Sequence, residues 1–420
     1  MSLSNKLSIT DLDLKGKRVL IRCDYNVPLD KETGAITDPN RITATLPTLK
    51  YVMEKGARSL VLMSHLGRPS GKVVPKLSLK VVAEKLSELL EKPVTFLEDC
   101  VGEKVEKACA EPEEGSIFLL ENLRFHKEEE GKGKDEEGNV VKATEEDTKK
   151  FRASLSKLGD VFINDAFGTA HRAHSSMVGV NLPQRASGFL LTKELTYFAK
   201  ALEKPTKPYL AILGGKKVSD KILLIKNLLS KVDEMIICGA MAFTFKKFIH
   251  GVNVGKSICE NDKEDLVKEI VVLAKKLDVK LHFPIDHLCA DNFDNNANTI
   301  LVTDEEGINE NYMGLDCGPK TSEIFKKVIL RAKTIVMNGM PGVFELPTFA
   351  KGTISLVNAL AESTSNGAAT IVCGGDSSAS VKKFGKSNEV SHMSTGGGAS
   401  IELLEGKVLP GVDALSDKEN

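Results

Sequence analysis

Strand-length apolar runs alternate with amphipathic helical stretches along the chain, and the pattern begins twice. Residues 17–22, 59–63, 116–120 and 160–164 are strand candidates, with helical stretches at 41–53 and 79–90. After Pro208 the same order returns, with strand candidates at 209–213, 234–237, 280–283, 334–337 and 369–372. Such alternation predicts parallel sheets covered by helices. At 420 residues the chain is too long for one compact core and suits two. Residues 190–202 have helical periodicity and no internal breaker, so they predict a rigid connector. The expected fold is α/β, with two doubly wound parallel-sheet lobes joined by a hinge helix. The charged, glycine-bearing stretch 127–139 reads as a solvated surface excursion.

Bulk properties exclude several classes. The formal net charge is −1, so no global field favours nucleic acid or a membrane surface, and any basic site must be local. No run approaches the roughly 18 apolar residues of a membrane span, and the N-terminus does not read as a signal peptide. Eight cysteines are scattered without a CxxC pair, which favours buried thiols in a reducing, cytoplasmic setting. No heptad array or long apolar stripe calls for a partner subunit, so a monomer is expected.

Chemistry concentrates in two places. Gly214-Gly215-Lys216-Lys217-Val218-Ser219-Asp220-Lys221 follows a strand candidate, and Ser394-Thr395-Gly396-Gly397-Gly398-Ala399-Ser400 precedes a helical run. Glycines and lysines between strand and helix offer backbone N–H groups and positive charge to an anion. Neither stretch fits the Walker or dinucleotide fingerprint. In the N-terminal half, each strand candidate leads into a loop bearing Arg, His or both. These loops contain Arg22 to Pro28, Ser64 to Pro69, Glu121 to His126 and Asp165 to His174, and Arg41 opens the first helical stretch. Guanidinium forks match phosphate and carboxylate oxygens, so a shared basic face would bind a small polyanion. The excess of guanidinium over carboxylate speaks against a metal site there.

Taken together, the motifs resemble those of eukaryotic phosphoglycerate kinases. They are Arg22-x-Asp24-Tyr25-Asn26-Val27-Pro28, His65-Leu66-Gly67-Arg68, Glu121-Asn122-Leu123-Arg124-Phe125, Asp165-Ala166-Phe167-Gly168-Thr169-Ala170-His171-Arg172-Ala173-His174-Ser175, and the two glycine-rich stretches above. The resemblance implies reversible phosphoryl transfer between 1,3-bisphosphoglycerate and Mg-ADP, giving 3-phosphoglycerate and Mg-ATP. It implies an N-terminal phosphoglycerate lobe at 1–189, a connecting helix at 190–203 and a nucleotide lobe at 204–405. The tail, 406–420, would pack back on the first lobe. Asp24, Tyr25, Asn26, Arg41, His65, Gly67, Arg68, Arg124, His171 and Arg172 would surround phosphoglycerate. Gly215, Lys216, Lys217, Lys221, Gly239, Gly314, Leu315, Asn338, Phe344, Glu345, Gly375, Asp376 and Ser377 would surround ADP or ATP. Asp376 would hold Mg2+. Arg41, Lys217, Gly396, Gly397 and Gly398 would act on the transferring group.

The chain departs from the family pattern mainly on the nucleotide side. Lys216 stands where Ala is usual, and Met340-Pro341 places the proline one position late. Cys238-Gly239-Ala240 replaces a run of glycines, Ser377 replaces threonine, and the chain has no tryptophan. Two readings follow: tolerated drift in an active kinase, or a paralogue with retuned or lost nucleotide binding that still binds phosphoglycerate.

Overall fold

A computed structural model describes residues 1–419; Asn420, the last residue of the expected tail, lies outside the described residues. The chain divides into two units, residues 1–196 with 408 onward, and residues 197–407. In the first unit the strands are β1 (Arg18–Arg22), β2 (Ser59–Met63), β3 (Thr95–Leu97), β4 (Ser116–Leu120), β5 (Lys132–Lys134), β6 (Val140–Lys142), β7 (Val161–Asn164) and β8 (Arg185–Ser187). Six form one sheet in the order β3-β4-β2-β1-β7-β8, with every pairing parallel. The interiors of β1, β2 and β4 are apolar because both faces are covered. Val19, Ile21, Leu60 and Leu62 enter one core cluster. Leu20, Val61 and Met63 enter the other, on the opposite face. The helix Asn40–Glu54 buries Ile42, Thr45, Leu49 and Val52, the spacing of a single helical face.

The second unit repeats the design with β9 (Tyr209–Gly214), β10 (Glu234–Cys238), β11 (Lys280–His282), β12 (Asp286–Ala290), β13 (Thr299–Thr303), β14 (Met313–Cys317), β15 (Thr334–Asn338), β16 (Ala369–Val372) and β17 (His392–Met393). Its main sheet runs β11-β10-β9-β15-β16-β17, again parallel at every pairing. Strands β12, β13 and β14 form a separate antiparallel sheet. In both main sheets the strand order reverses beside the first strand, between β1 and β7 and between β9 and β15. Crevices at such switch points, beyond the carboxyl ends of the strands, are where open α/β sheets bind ligands.

The connector is the helix Phe189–Leu202. Its start is held inside the first unit by Asp165, whose Oδ1 accepts from the N–H groups of Leu190 at 2.9 Å and Leu191 at 3.3 Å. Thr48 donates to the other oxygen of Asp165 at 2.7 Å and accepts the N–H of Phe189 at 3.1 Å. The final segment joins the first unit by pairing with both of its ends. Leu7 N–H donates to Ser416 O at 2.8 Å, and Arg185 Nε to Ala414 O at 2.7 Å.

The stretch 127–139 corrects the solvated reading only in part, since most of residues 131–139 are exposed. It holds the short helix Lys127–Glu130 and β5, and Glu129 is buried. Both Glu129 oxygens accept from Ser176, one from its N–H and one from its hydroxyl, at 2.7 Å each. A dense charge pattern does not reveal that one member is drawn inward by a distant partner.

Candidate functional site

The carboxyl ends of β1, β2, β4 and β7 bring the basic loops of the first unit together. Arg41 Nη1 donates to the Asp24 carboxylate at 3.2 and 3.3 Å and to Asn26 O at 3.1 Å. The Asn26 amide oxygen accepts the N–H of Gly67 at 2.9 Å, and Gly67 O accepts from Arg124 Nη1 at 3.0 Å. Gly67 has φ 64°, so the turn after β2 uses the left-handed region. Arg68 and Arg172 are exposed, while Arg124 and His171 are part-buried. Tyr25 does not face a ligand. It is fully buried, its hydroxyl pairs with Thr45 at 3.0 Å, and its N–H is taken by Ser64. The alternation of β1 continues past the strand end and turns that ring into the core.

The electrostatics confirm that these groups share one field. Burial holds the His65 imidazole well below its usual range, and Arg22, Arg124, His174 and Arg41 push the same way. Burial also drives His174 down to about 3, reinforced by Arg124, Arg22, Arg172 and His171. The Nδ1 atom of His174 is buried with no hydrogen-bond partner among the described residues. A cluster of cations with neutralised histidines is suited to a polyanion.

This field predicts a pH dependence of stability. Both histidines have folded pKa values below the unfolded value of about 6.5, so below that pH the unfolded chain binds more protons. Stability is therefore retained near pH 7.5 and falls as the pH drops below about 6.5, by up to roughly 1.4 kcal/mol per pH unit for each histidine. Urea midpoints between pH 7.5 and 5.5 should show this slope, and His174→Gln should flatten part of it. A slope unchanged in the variant would remove His174 from the account.

In the second unit, a cavity of about 830 Å3 opens at the β9/β15 switch point. Its polar end is lined by Gly215, Lys216, Asp220, Lys221, Asn338, Gly375, Asp376 and Ser377. Lys221 Nζ donates to the amide oxygen of Asn338, whose nitrogen donates to Cys373 O at 2.9 Å. Burial lowers the Lys221 pKa, with Asp220 and Asp376 opposing that shift. Ser377 accepts the N–H of Gly339 at 2.9 Å, tying the loop after β15 to the helix Gly375–Lys383. The apolar end is lined by Phe243, Met313, Leu315, Val343 and Leu346, with Gly239 and Gly314 exposing backbone. A Cβ on Gly314 would lie 2.2 Å from the Phe243 ring, so the glycine backbone packs directly against that ring and a side chain there would displace it. One flat apolar slot and one cationic, glycine-rich end suit a nucleotide.

The Asp376 carboxylate is exposed, lines the polar end and pairs with no other side chain among the described residues. A single hard oxygen donor beside a phosphate pocket fits Mg2+, which keeps several waters and shares phosphate ligands.

Comparison with known proteins identifies a single family. The phosphoglycerate kinase family model matches residues 9–407. The chain is 61% identical to a phosphoglycerate kinase of Dictyostelium discoideum, over 99% of each chain. It is 60% identical to that of Plasmodium falciparum, over 99% of this chain and 100% of the relative. The chain belongs to the phosphoglycerate kinase family. Among solved structures it resembles the Coxiella burnetii phosphoglycerate kinase, with TM-score 0.86, 38% identity, and coverage of 97% of this chain and 98% of that one. The Pyrococcus horikoshii enzyme gives TM-score 0.71 at 31% identity, with the same coverage.

Three expectations for the nucleotide side need revision. Phe344 is buried, packs edge-on to Phe384 at 6.2 Å and is absent from the cavity lining, where its neighbours Val343 and Glu345 stand instead. Gly396 has its N–H engaged by Ser394 Oγ at 3.2 Å, leaving Gly397 and Gly398 as the exposed glycines of that turn. Lys217 is exposed but outside the cavity lining, whereas Lys216 is within it. Of the apolar liners, Leu315 was singled out from sequence; Phe243, Met313, Val343 and Leu346 were not, and neither was His174. His174 could have been, because it shares a loop with His171 at a spacing of three.

Proposed function

We propose that the chain catalyses reversible phosphoryl transfer between 1,3-bisphosphoglycerate and Mg-ADP, as a glycolytic phosphoglycerate kinase. The observation that carries this reading is the pairing of two complementary sites in one chain: a field of arginines and neutral histidines, and a cavity graded from apolar to cationic. Asp24, Asn26, Arg41, His65, Gly67, Arg68, Arg124, His171 and Arg172 surround phosphoglycerate. Gly215, Lys216, Lys221, Asn338, Gly375 and Ser377 face the nucleotide phosphates, with Gly239, Gly314 and Leu315 around the base and Glu345 beside the ribose. Asp376 would hold Mg2+, which when bound neutralises phosphate charge and orients the nucleotide.

A β-phosphate oxygen of ADP forms the new bond to phosphorus while the bond to the acyl oxygen breaks. The 3-phosphoglycerate carboxylate then leaves with the electron pair. No general base is required, because the attacking oxygen is already anionic. The side chains therefore act by positioning and charge stabilisation. Arg41 stabilises the equatorial oxygens together with Lys217, which stands outside the cavity and would act on the transferring group rather than hold the nucleotide, and Gly397 and Gly398 offer N–H groups to the same region. Each substrate belongs to a different unit, so the proposal includes hinge closure during turnover, which also excludes water. It further places a monomer in the cytoplasm. No helix among the described residues is long and apolar enough to cross a membrane, and all eight cysteines are free thiols.

Calorimetric titrations test the two-site reading. The chain should bind 3-phosphoglycerate and Mg-ADP independently. Asp376→Ala should weaken Mg-ADP at least about tenfold, the scale of a lost charged contact, while leaving 3-phosphoglycerate unchanged. Binding of 3-phosphoglycerate alone would revive the paralogue reading, which the full-length relatives do not favour.

A further inference from the structure

We propose that Arg22 is a positioning residue that fixes the tautomer of His65, so that the ring presents Nε2–H to the anionic substrate. The proposal rests on the phosphoglycerate reading of the basic face. Arg22 ends β1 and is 0% exposed, and His65, just after β2, is 5% exposed. Arg22 Nη2 lies 3.2 Å from His65 Nδ1. A guanidinium has donors only and stays protonated in proteins. His65 Nδ1 must therefore accept, and the single proton of the neutral ring sits on Nε2. The low His65 pKa described above keeps the ring neutral near pH 7.

The guanidinium is itself fixed. Its Nε donates to Ser176 Oγ at 2.9 Å and its Nη1 to Cys23 O at 2.6 Å. Ser176 Oγ in turn donates a hydrogen bond to Glu129 Oε2 at 2.7 Å, and Glu129 is 1% exposed. One hydroxyl thus links a buried cation to a buried anion, and one of the three remaining N–H groups, on Nη2, is directed at the histidine. Apolar residues often serve packing as well as a buried ion pair does. A charged relay ending on a ring of the basic face is better explained by what it orients. The tautomer matters because an Nδ1–H ring would turn an acceptor nitrogen towards the phosphate or carboxylate of the ligand.

Long-range 1H–15N spectra of the labelled protein read the tautomer directly, with His65→Gln used for assignment. At pH 7.5, in the free protein, Nδ1 of His65 should resonate as unprotonated and Nε2 as protonated; the reverse overturns the proposal. Arg22→Met removes the donor. It should yield a tautomer mixture and raise KM for 3-phosphoglycerate about tenfold, with the nucleotide KM unchanged. Arg22→Lys keeps a cationic donor and should restore the tautomer and most of the affinity. A single Nε2–H tautomer persisting in Arg22→Met, or its loss in Arg22→Lys, also overturns the proposal. Should Arg22→Met fail to fold, the wild-type and Arg22→Lys spectra decide. Absence of kinase activity would reject the functional reading, but the tautomer is read without turnover, so the two failures are distinct.

Discussion

Arg41→Ala is expected to lower kcat at least about tenfold, because a charge-assisted contact contributes roughly 1.5–3 kcal/mol. The residue begins the first long helix, and its side chain is half-exposed, reaching back over the loop after β1. One guanidinium nitrogen holds both Asp24 oxygens and Asn26 O, so the fork has further donors to spare for a ligand. Truncation removes a cation from the reacting phosphoryl group and also frees Asp24, which then repels the substrate. Both effects act in one direction, so KM for 3-phosphoglycerate should rise as kcat falls. Arg41→Lys should recover part of the charge but not the fork geometry. Steady-state kinetics with each substrate varied would check this. An alanine variant with unchanged kcat would take Arg41 out of the mechanism.

Gly339→Ala should have a comparably large effect by a different route. Gly339 lies directly after β15 with φ 136°, and an added Cβ would sit 2.1 Å from Gly214 N and 2.3 Å from Gly214 Cα. These are backbone atoms of the neighbouring strand end, so no rotamer change relieves the clash. The ends of β9 and β15 would have to part at the switch point that shapes the cavity. Gly215, Lys221 and Asn338 would move with them. Mg-ADP affinity should fall by about a hundredfold or more, with destabilisation of roughly 3 kcal/mol or more, as for strain at a special backbone position. Binding of 3-phosphoglycerate by the other unit should survive wherever the protein remains folded. Titration of both ligands distinguishes these outcomes, and undiminished Mg-ADP binding would mean the loop can open without affecting the site.

Much of this was legible in the residues because the signals are local. Ser59–Met63, Ser116–Leu120 and Ala369–Val372 are largely apolar runs, and the strands have those bounds. The short strands Thr95–Leu97, Arg185–Ser187 and His392–Met393 carry too few apolar residues to rise above the loops around them. The antiparallel sheet from Asp286 to Cys317 also escaped the pattern, since its strands have mixed polarity and the edge strand Thr299–Thr303 is largely unburied. Motifs singled out Asp24 and Arg41, which meet on the basic face, and Lys221, which lines the cavity, but spacing alone did not show that Tyr25 and Phe344 turn into the core. Nor could it show Glu129 meeting Ser176, a contact 47 residues apart in the chain. Such facts depend on which partner the fold delivers.

The most direct test of the central claim is a coupled assay of the unmodified chain with 3-phosphoglycerate and Mg-ATP, reading ADP formation. The account predicts turnover that saturates in both substrates and vanishes when either is omitted. Binding of both ligands without 3-phosphoglycerate-dependent ADP formation would contradict it.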